Sequence, residues 1–372
     1  MRGTDHRETH VKSKLTSLLA VAASATLLLS ACGGASTGKN AKGGDASNFK
    51  ACLVSDAGGW DDHSFNESAF VGLKQAEKDL KVQINTAESK QSTDYKPNVE
   101  KMVDDGCKMI IGVGFNLNDA ILKVAQSTKD LEFGLIDSVF TEGGKPVEID
   151  NGRPLLFNTQ EAAYLAGYVA AGMTKTGKVA TFGGIQIPSV TIFMDGFADG
   201  VKAYNKDAGK DVQLLGWDKD AQKGAFTNSF DDQNKGKQQT QQFLDQGADI
   251  VMPVAGPVGL GAAAAVKAKA GAMFVGVDSD WFEAVPDYKD IVLTSVKKEI
   301  AASVVDTVKQ GVDGKFSNAP YIGDLKNGGV SLAPFHDFDS KVPADLKAKV
   351  KELEEKIKSG ELKIESPAAN KK

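Results

Sequence analysis

Short apolar segments alternate with helical periods along almost the whole chain, and this alternation narrows the possible folds to very few. The predicted strands of a first run are residues 50–55, 81–85, 108–113, 132–136 and 154–157. Those of a second run are residues 179–182, 212–217, 250–253, 273–277 and 291–295. Short apolar strands that alternate with helices are typical of parallel sheets covered on both faces. We therefore predict an α/β fold of two doubly wound parallel-sheet lobes with a ligand cleft between them.

Apolar residues at helical spacing place helices between these strands. The predicted helices are residues 65–80, 95–105, 118–128, 161–173, 191–206, 235–246, 259–270 and 298–311. A charged amphipathic helix is predicted over residues 343–359, with Gly360 as its stop. The body is too long for one compact core, and no Pro-rich linker divides it. We assign residues 49–156 and about 299–330 to a first lobe, and residues 157–298 and about 331–372 to a second.

The N-terminus reads as an export signal. Four basic residues precede an apolar run over residues 15–29, which has the length of a signal-peptide core and is short for a bilayer span. The following Leu29-Ser30-Ala31-Cys32 resembles the lipobox of bacterial lipoproteins, in which the cysteine is acylated and the preceding peptide is removed. We expect residues 1–31 to be a lipoprotein signal peptide and residues 32–48 to be a flexible tether.

Acylated Cys32 would then anchor the body to the cell membrane, facing the extracytoplasmic side. An ordinary cleaved signal with an incidental cysteine and an N-terminal membrane helix are the two alternatives.

Composition limits the possible partners. The chain is 41% hydrophobic and 25% charged, as is usual for a soluble globular body, and its net charge of −5 argues against nucleic acid. His63 and His336 are isolated, and no second His or Cys lies at metal-ligand spacing from them. We expect no metal site and no cofactor.

Two cysteines remain besides Cys32. Cys52 lies in the first predicted strand, and Cys107 lies at the start of a later one. An exported protein meets an oxidising compartment, where such a pair can form a disulfide if the two strands are neighbours. Two buried, unbonded thiols are the alternative.

Ligands of doubly wound sheets bind beyond the carboxyl ends of the strands. The first predicted strand is followed by a glycine-containing loop, residues 56–64, in which Ser64 is expected to cap the helix that Phe65 and Asn66 open. Other residues that follow strands are Gly114, Phe115, Asp137, Phe230, Asp231, Asp232, Gly256, Asp278, Asp280 and Lys298. Both halves therefore contribute carboxylates and aromatic rings to one cleft.

These residue types suit a nucleoside. Phe65 and Phe230, one from each lobe, can sandwich a flat ring, and stacking on a base contributes roughly 1–3 kcal/mol. Carboxylates accept hydrogen bonds from vicinal hydroxyl groups and from amino groups. A nucleotide would require an arginine cluster or a phosphate nest, and the lone Lys298 among several carboxylates argues against one.

The loop Asp56-x-Gly58-Gly59-x-x-Asp62-x-Ser64-Phe65-Asn66, followed by a helix with Gly72, resembles the basic membrane protein family of bacterial lipoproteins. Further motifs in the family's order are GVGFNLNDA, LIDSVF, MDGFADGV, SFDDQNKGK and GVDSDW. The family is similar to the purine nucleoside receptor A lipoproteins, which are substrate-binding subunits of nucleoside ABC importers. The resemblance covers the body from Phe49 to the C-terminus.

The resemblance implies a type I periplasmic-binding-protein architecture and roles for eight residues. Phe65 and Phe230 would stack on the two faces of a purine, and Asn66 and Asp137 would bind the edge of the base. The ribose hydroxyl groups or adjoining atoms would contact Asp56, Gly256, Asp278 and Lys298.

Plainer roles stay open for several of these residues. Asp56 could cap the next helix, Phe65 could belong to the core, and Gly256 could serve turn geometry alone. Asp137 and Asp278 could be solvent-exposed loop residues, and Lys298 an exposed lysine at a helix start. The neighbours that compete for the same roles are Phe226 for Phe230, Asp280 for Asp278 and Lys297 for Lys298. Trp217 and Trp281 are expected near the cleft rim, with no assigned role.

Three functions remain possible at this point. The first is a monomeric, non-enzymatic receptor that captures a nucleoside, expected to be a purine nucleoside, and delivers it to an ABC transporter permease. The second is a related receptor for a neutral sugar or an autoinducer, since fold alone does not choose among neutral ligands. The third is an exported nucleoside hydrolase whose Asp56, Asp61 and Asp62 would hold a calcium ion.

Overall fold

The computed structural model describes residues 46–371. The predicted signal peptide, Cys32 and residues 32–45 of the predicted tether lie outside the described residues. Within residues 46–371, none of the helices combines the length and the apolar character that a bilayer span needs.

Strands and helices alternate through the described chain. The strands are β1 (Lys50–Ser55), β2 (Gln83–Ala87), β3 (Met109–Val113), β4 (Glu132–Ile136), β5 (Thr141–Glu142), β6 (Lys145–Pro146), β7 (Gly152–Phe157), β8 (Lys178–Gly183), β9 (Gln213–Leu215), β10 (Trp217–Asp218), β11 (Lys223–Gly224), β12 (Ile250–Val254), β13 (Met273–Asp278), β14 (Val292–Lys298), β15 (Tyr321–Gly323) and β16 (Val330–Leu332). The helices are α1 (Phe65–Leu80), α2 (Tyr95–Asp104), α3 (Asn118–Ser127), α4 (Gln160–Met173), α5 (Pro188–Ala208), α6 (Gln233–Asp245), α7 (Val258–Ala268), α8 (Trp281–Ala284), α9 (Ile300–Val312) and α10 (Ala344–Ser359).

Two six-stranded sheets organise these elements. The first has the order β15-β7-β4-β3-β1-β2, with parallel pairing throughout. The second has the order β16-β14-β13-β12-β8-β9 and is parallel except where β16 pairs with β14. The predicted α/β class with two parallel sheets is confirmed. Strand order reverses between β1 and β3 in the first sheet and between β8 and β12 in the second, and ligands bind beside such reversals.

Several predicted element boundaries were wrong, and two of the differences concern the second sheet. The strand predicted over residues 212–217 is divided into β9 and β10, because Gly216 lies between them with φ of +86°. The strand predicted to end at residue 295 continues to Lys298, which pairs with Val330 of β16. Helix α9 therefore begins after Lys298, at Ile300, so Lys298 ends a strand and does not open a helix.

The chain passes between the two sheets three times, after β7, after β14 and after β15. Phe157, assigned by prediction to the second lobe, is the last residue of β7 in the first sheet. Val330, assigned to the first lobe, begins β16 in the second sheet. The assignment of the remaining segments to two lobes stays a prediction.

Close contact between α4 and α5 depends on glycine. A Cβ on Gly167 would lie 2.1 Å from the carbonyl oxygen of Phe197, and one on Gly200 would lie 2.0 Å from that of Tyr164. A side chain of any size would force the two helices apart. Helix α10 packs on the same pair, where Leu346 lies against Gly172, and it ends at Gly360 with φ of +79°.

The sulfur atoms of Cys52 and Cys107 are bonded in the structure, with their Cα atoms 6.1 Å apart. Cys52 lies in β1, and Cys107 precedes the adjacent β3. Both residues are buried against α2 and α3 side chains of the first sheet's core.

Candidate ligand-binding site

Loops at the carboxyl ends of strands from both sheets enclose a cavity of about 590 Å³, part of it open to solvent. The cavity is lined by all eight residues predicted from the sequence, namely Asp56, Phe65, Asn66, Asp137, Phe230, Gly256, Asp278 and Lys298. Their roles in binding stay predictions.

Asp62, not Ser64, caps helix α1. The Asp62 carboxylate accepts hydrogen bonds from the backbone N–H groups of Ser64, Asn66 and Glu67, at 2.9, 2.9 and 3.0 Å. The Ser64 hydroxyl instead donates to Asp278, at the end of β13 in the other sheet, at 3.3 Å. Because Asp62 caps the helix start, Phe65 and Asn66 are fixed on its first turn, facing the cavity. Asp56 is thereby free of the capping role that the sequence left open for it.

The Asp56 carboxyl group lines the cavity, and no cation is among the groups that shift its pKa. The pKa of Asp56 is raised to about 7, chiefly by burial; the amides of Asn66 and Asn116 oppose the rise, and the neighbouring Asp62 and Asp137 add to it. The Asp56 carboxyl group can approach the backbone after β3 closely because residue 114 is glycine. A Cβ on Gly114 would lie 2.4 Å from Asp56 Oδ2. Asp56 can thus exchange a proton near neutral pH.

Asn66 presents an unused acceptor. The residue is only 2% exposed, and its Oδ1 has no hydrogen-bond partner among the described residues. An unpaired buried polar atom costs free energy, so a donor group on a ligand would be stabilised there. Asn66 lines the cavity beside Phe65, which places that acceptor next to an aromatic face.

Lys298 lies between carboxylates of the two sheets. Its Nζ is 2.6 Å from Asp137 Oδ2, after β4, and 3.3 Å from Asp278 Oδ1, at the end of β13. Burial by itself would lower the pKa of Lys298, but the two carboxylates outweigh burial and raise it. The ammonium group also lies 5.1 to 5.6 Å from the ring centres of Phe65, Phe157 and Phe193. A cation with this many partners is not available to pair with a ligand phosphate.

Asp137 and Asp278 adopt left-handed backbone conformations, with φ of +65° and +68°. Aspartate tolerates this region better than most residues. Each lies where its strand ends, so the turn directs both carboxylates toward Lys298. Both are nearly buried and neither is a solvent-exposed loop residue, with side chains 10% exposed.

The structure also places the competing neighbours. Phe226 contacts Trp217 edge-on at 5.9 Å, Asp280 caps α8 and bonds His336 at 2.9 Å, and Lys297 pairs with Glu299 at 2.9 Å. These contacts hold each of them away from the cavity, whose lining includes Phe230, Asp278 and Lys298.

The expected position of Trp217 and Trp281 at the rim was wrong. Trp217 and Trp281 are buried, at 6% and 1% exposure, and their indole N–H groups donate to Asp195 and to the carbonyl of Val277. They pack the core of the second sheet and do not line the cavity.

Several lining residues were missed. Phe115 follows β3 and contacts Phe230 edge-on at 6.5 Å, and sequence reasoning noted its position without assigning it. Ile187, Ser189 and Phe193 follow β8, whose carboxyl end was not among the predicted site positions. The strand-end rule applied to β8 would have found the first two.

The loops of the two sheets also contact each other directly. Besides the bond from Ser64 to Asp278, the Ser279 hydroxyl donates to the carbonyl of His63 at 3.0 Å. These contacts join residues that follow β1 to residues that follow β13. The two loops can separate only if these hydrogen bonds break.

Comparison with known proteins identifies the relationship. A family described as Bmp, ABC transporter substrate-binding protein PnrA-like, matches residues 49–367. The chain belongs to this family. The "ABC transporter nucleoside-binding protein BmpA" of Lactococcus lactis subsp. cremoris is 31% identical over 366 residues, covering 93% of this chain and 99% of that protein.

"Basic membrane protein A" of Borreliella burgdorferi is 31% identical over 256 residues, covering 68% of this chain and 70% of that protein. Among solved structures, an ABC transporter system solute-binding protein from Aeropyrum pernix K1 superposes with a TM-score of 0.75 at 26% identity, covering 86% of this chain and 94% of that one. The resemblance stated from the loop after β1 is confirmed, and the fold is that of type I periplasmic binding proteins.

Proposed function

We propose that this substrate-binding protein captures a nucleoside, with a purine base, between its two sheets and presents it to an ABC transporter permease. It acts as a receptor and not as an enzyme, as a monomer whose acylated Cys32 holds it on the extracytoplasmic face of the cell membrane. The relative named for nucleoside binding supports the ligand class.

The observation that carries the proposal is the composition of the cavity wall. Phe65 and Phe230 line it from different sheets, Asn66 contributes an unpaired acceptor, and Asp56 and Asp278 contribute carboxylates. Aromatic faces favour a flat base, and carboxylates favour the vicinal hydroxyl groups of a ribose. Because Lys298 is already paired with two carboxylates, the site favours an uncharged nucleoside over a nucleotide.

Calorimetry on the purified full-length protein tests the proposal, with a panel of purine and pyrimidine nucleosides, pentoses, hexoses and amino acids. Purine nucleosides are expected to bind most tightly. Replacing Phe65 or Phe230 with alanine should weaken binding roughly 5- to 100-fold, the equivalent of one lost stacking face.

Phe70→Ala is the matched control, because Phe70 lies on the same helix as Phe65 but stacks on Trp60, outside the cavity. No binding of any nucleoside would end the proposal, and preferential binding of a pentose would favour the sugar receptor. Release of free base during long incubation would favour the hydrolase.

The structure gives the hydrolase little support. The Asp61 side chain is 95% exposed, and the Asp62 oxygens are bonded to the amides of α1. The three aspartates that would hold calcium therefore do not converge.

The anchor is tested by fractionating cells. Wild-type protein is expected in the membrane fraction, and a Cys32→Ala variant is expected in the soluble exported fraction or in unprocessed form. Equal membrane association of the two would contradict acylation at Cys32.

A further inference from the structure

The three crossovers between the two sheets lie side by side. The Asn158 N–H, just after β7, donates to the carbonyl of Gly323, the last residue of β15, at 2.7 Å. The Glu299 N–H, just after β14, donates at 3.0 Å to the carbonyl of Gly329, which lies just before β16. A rotation of one sheet relative to the other must therefore change backbone torsions in these short segments.

The C-terminal segment, residues 361–370, is bonded at one end to elements of the second sheet. The Ser366 hydroxyl donates to the carboxylate of Asp195 at 2.6 Å, and Asp195 is completely buried on α5. Helix α5 contacts β8 and β12 of the second sheet. The Lys219 ammonium group, after β10, donates to the carbonyl of Glu365 at 2.5 Å. This end of the segment is thus fixed to the second sheet.

The other end of the segment is bonded to the first crossover. The Asn370 N–H donates to Asn158 Oδ1 at 2.9 Å, and the Asn158 side-chain amide donates to the Asn370 carbonyl at 3.2 Å. The Asn370 side-chain amide donates to the carbonyl of Phe157, the last residue of β7, at 3.0 Å. Three hydrogen bonds thus hold the two residues at which the chain leaves the first sheet.

A turn joins the two ends of the segment. The Ala368 N–H donates to the Ser366 hydroxyl at 3.0 Å, and the Ala369 N–H donates to the Ser366 carbonyl at 3.1 Å. Because Ser366 is held by α5, this turn limits how far Asn370 can follow a movement of the first crossover. The segment therefore connects the two sheets by hydrogen bonds, beside the three covalent crossovers.

Opening of the two sheets would break bonds at the first crossover. The directions of the Phe157 carbonyl and the Asn158 side chain depend on the backbone torsions of this crossover, which opening changes. Each hydrogen bond has a modest net value, so three of them favour the arrangement that contains them. That arrangement also contains the direct bonds between the loops after β1 and β13, so it is the closed one.

We propose that residues 361–370 form a hinge strap, which holds the first crossover in its closed conformation and slows the opening of the cavity. Neither Asn158 nor Asn370 lines the cavity of the candidate site, so the strap acts on the movement of the sheets and not on ligand contact. The inference goes beyond the proposed function, because this movement can be measured without a ligand.

Hydrogen exchange of the unliganded full-length protein tests the strap, in peptides that cover residues 157–160, 298–300 and 323–330. The double variant Asn158→Ala with Asn370→Ala removes all three bonds at the first crossover. It should exchange roughly 5- to 100-fold faster in these peptides. Lys371→Ala is the matched control, because Lys371 is the next residue and is exposed, and it should change nothing.

Ser366→Ala releases the strap at its other end and should speed exchange in the same three peptides. Combined with the two asparagine changes, it should add less than its separate effect, since a strap released at one end no longer couples the sheets.

Ligand release gives a second measurement, and this one rests on the proposed function. Release of bound adenosine and guanosine, followed by rapid mixing, should be roughly 3- to 30-fold faster in the asparagine double variant and unchanged in Lys371→Ala. Deletion of residues 367–372, which keeps Ser366 and α10, should have the same effect and provides an independent variant if the double variant does not fold.

Three results would overturn the inference. The first is faster exchange confined to residues 361–370 and α10, or spread evenly over the chain, because loss of local packing or of stability would explain it. The second is an equal effect of Lys371→Ala. The third is unchanged release of a nucleoside that wild type does bind. If wild type binds neither nucleoside, the proposed function fails, and the exchange results alone decide on the strap.

Discussion

Asp56 and Lys298 show two different electrostatic situations on one cavity wall. Lys298 is buried with two carboxylates for partners, which stabilise its charged form. Asp56 has only the amides of Asn66 and Asn116 to stabilise its charge, against burial and two nearby aspartates. The first group stays ionised, and the second titrates near neutral pH.

The Asp56 carboxyl makes unfolding depend on pH. Its pKa is about 7 in the folded protein and 3.8 in the reference state, so the folded protein binds more protons between these values. The free energy of unfolding therefore falls as pH rises from about 4 to 7. Above pH 7, the cost of keeping the ionised Asp56 carboxylate buried is fully present. A shift of this size corresponds to about 4 kcal/mol.

We expect Asp56→Asn to remove this penalty. Urea unfolding of the unliganded variant should show a free energy of unfolding close to that of wild type at pH 4 and higher by up to about 4 kcal/mol at pH 8. A constant difference between the two proteins across this range would contradict the assignment of a raised pKa to Asp56.

Replacing Lys298 with methionine should strongly destabilise the protein. The stem remains, but Asp137 and Asp278 lose the cation between them while still buried. Removal of one partner from a buried ion pair costs about 3–5 kcal/mol. Lys297→Met is the control, because that side chain is 31% exposed and its pair with Glu299 is worth about 1 kcal/mol or less. Equal losses in urea unfolding at pH 7 would contradict a structural role for the buried pair.

Among the elements, helix α1 depends on its first turn. Asp62 accepts three backbone N–H bonds there, which fixes the direction of the helix and with it Phe65 and Asn66. The first N–H groups of a helix have no partner within the helix. Because the Asp62 carboxylate accepts three of them, it fixes the part of α1 that carries Phe65 and Asn66.

We expect Asp62→Ala to lower the free energy of unfolding by about 1–2 kcal/mol and to weaken ligand binding. Asp62→Asn should retain most of the stability and most of the ligand affinity, since asparagine also caps helices well. Asp61→Ala is the control, because the Asp61 side chain is 95% exposed, and its effect should stay within about 0.5 kcal/mol. Thermal unfolding and calorimetry measure the three variants, and a result in which Asp61→Ala matches Asp62→Ala would refute the capping role.

At the scale of the molecule, two side-chain hydrogen bonds join the loop after β1 to the end of β13. The bonds from Ser64 to Asp278 and from Ser279 to the His63 carbonyl connect loops of different sheets. A bound molecule adds contacts to both sheets at once, which favours the closed arrangement over an open one.

Small-angle scattering of the unliganded and the nucleoside-saturated protein should therefore show a smaller radius of gyration with ligand. The double variant Ser64→Ala with Ser279→Ala should widen the difference, because its unliganded form loses both bridging hydroxyl groups. Identical scattering curves with and without bound nucleoside would contradict closure.

The amino-acid sequence by itself determined the fold class and most of the cavity wall. Short apolar strands alternating with helices can bury both strand faces only in covered parallel sheets, and the residues that follow such strands meet at one edge. That rule alone brought Asp137 and Gly256 to the same space as the loop after β1. It did not reveal the three-residue strands β15 and β16, which depend on pairing with distant strands.

The tertiary structure alone decided how the side chains pair. Lys298 is separated from Asp137 by 161 positions, and the extension of β14 to residue 298 places it there. Nothing local showed that Asp62 would cap α1 in place of Ser64, or that Asn370 would bond to Asn158 and to the carbonyl of Phe157. Sequence periodicity indicates which face of an element is buried. Contact between particular side chains depends on strand register and on segments that are distant in the sequence.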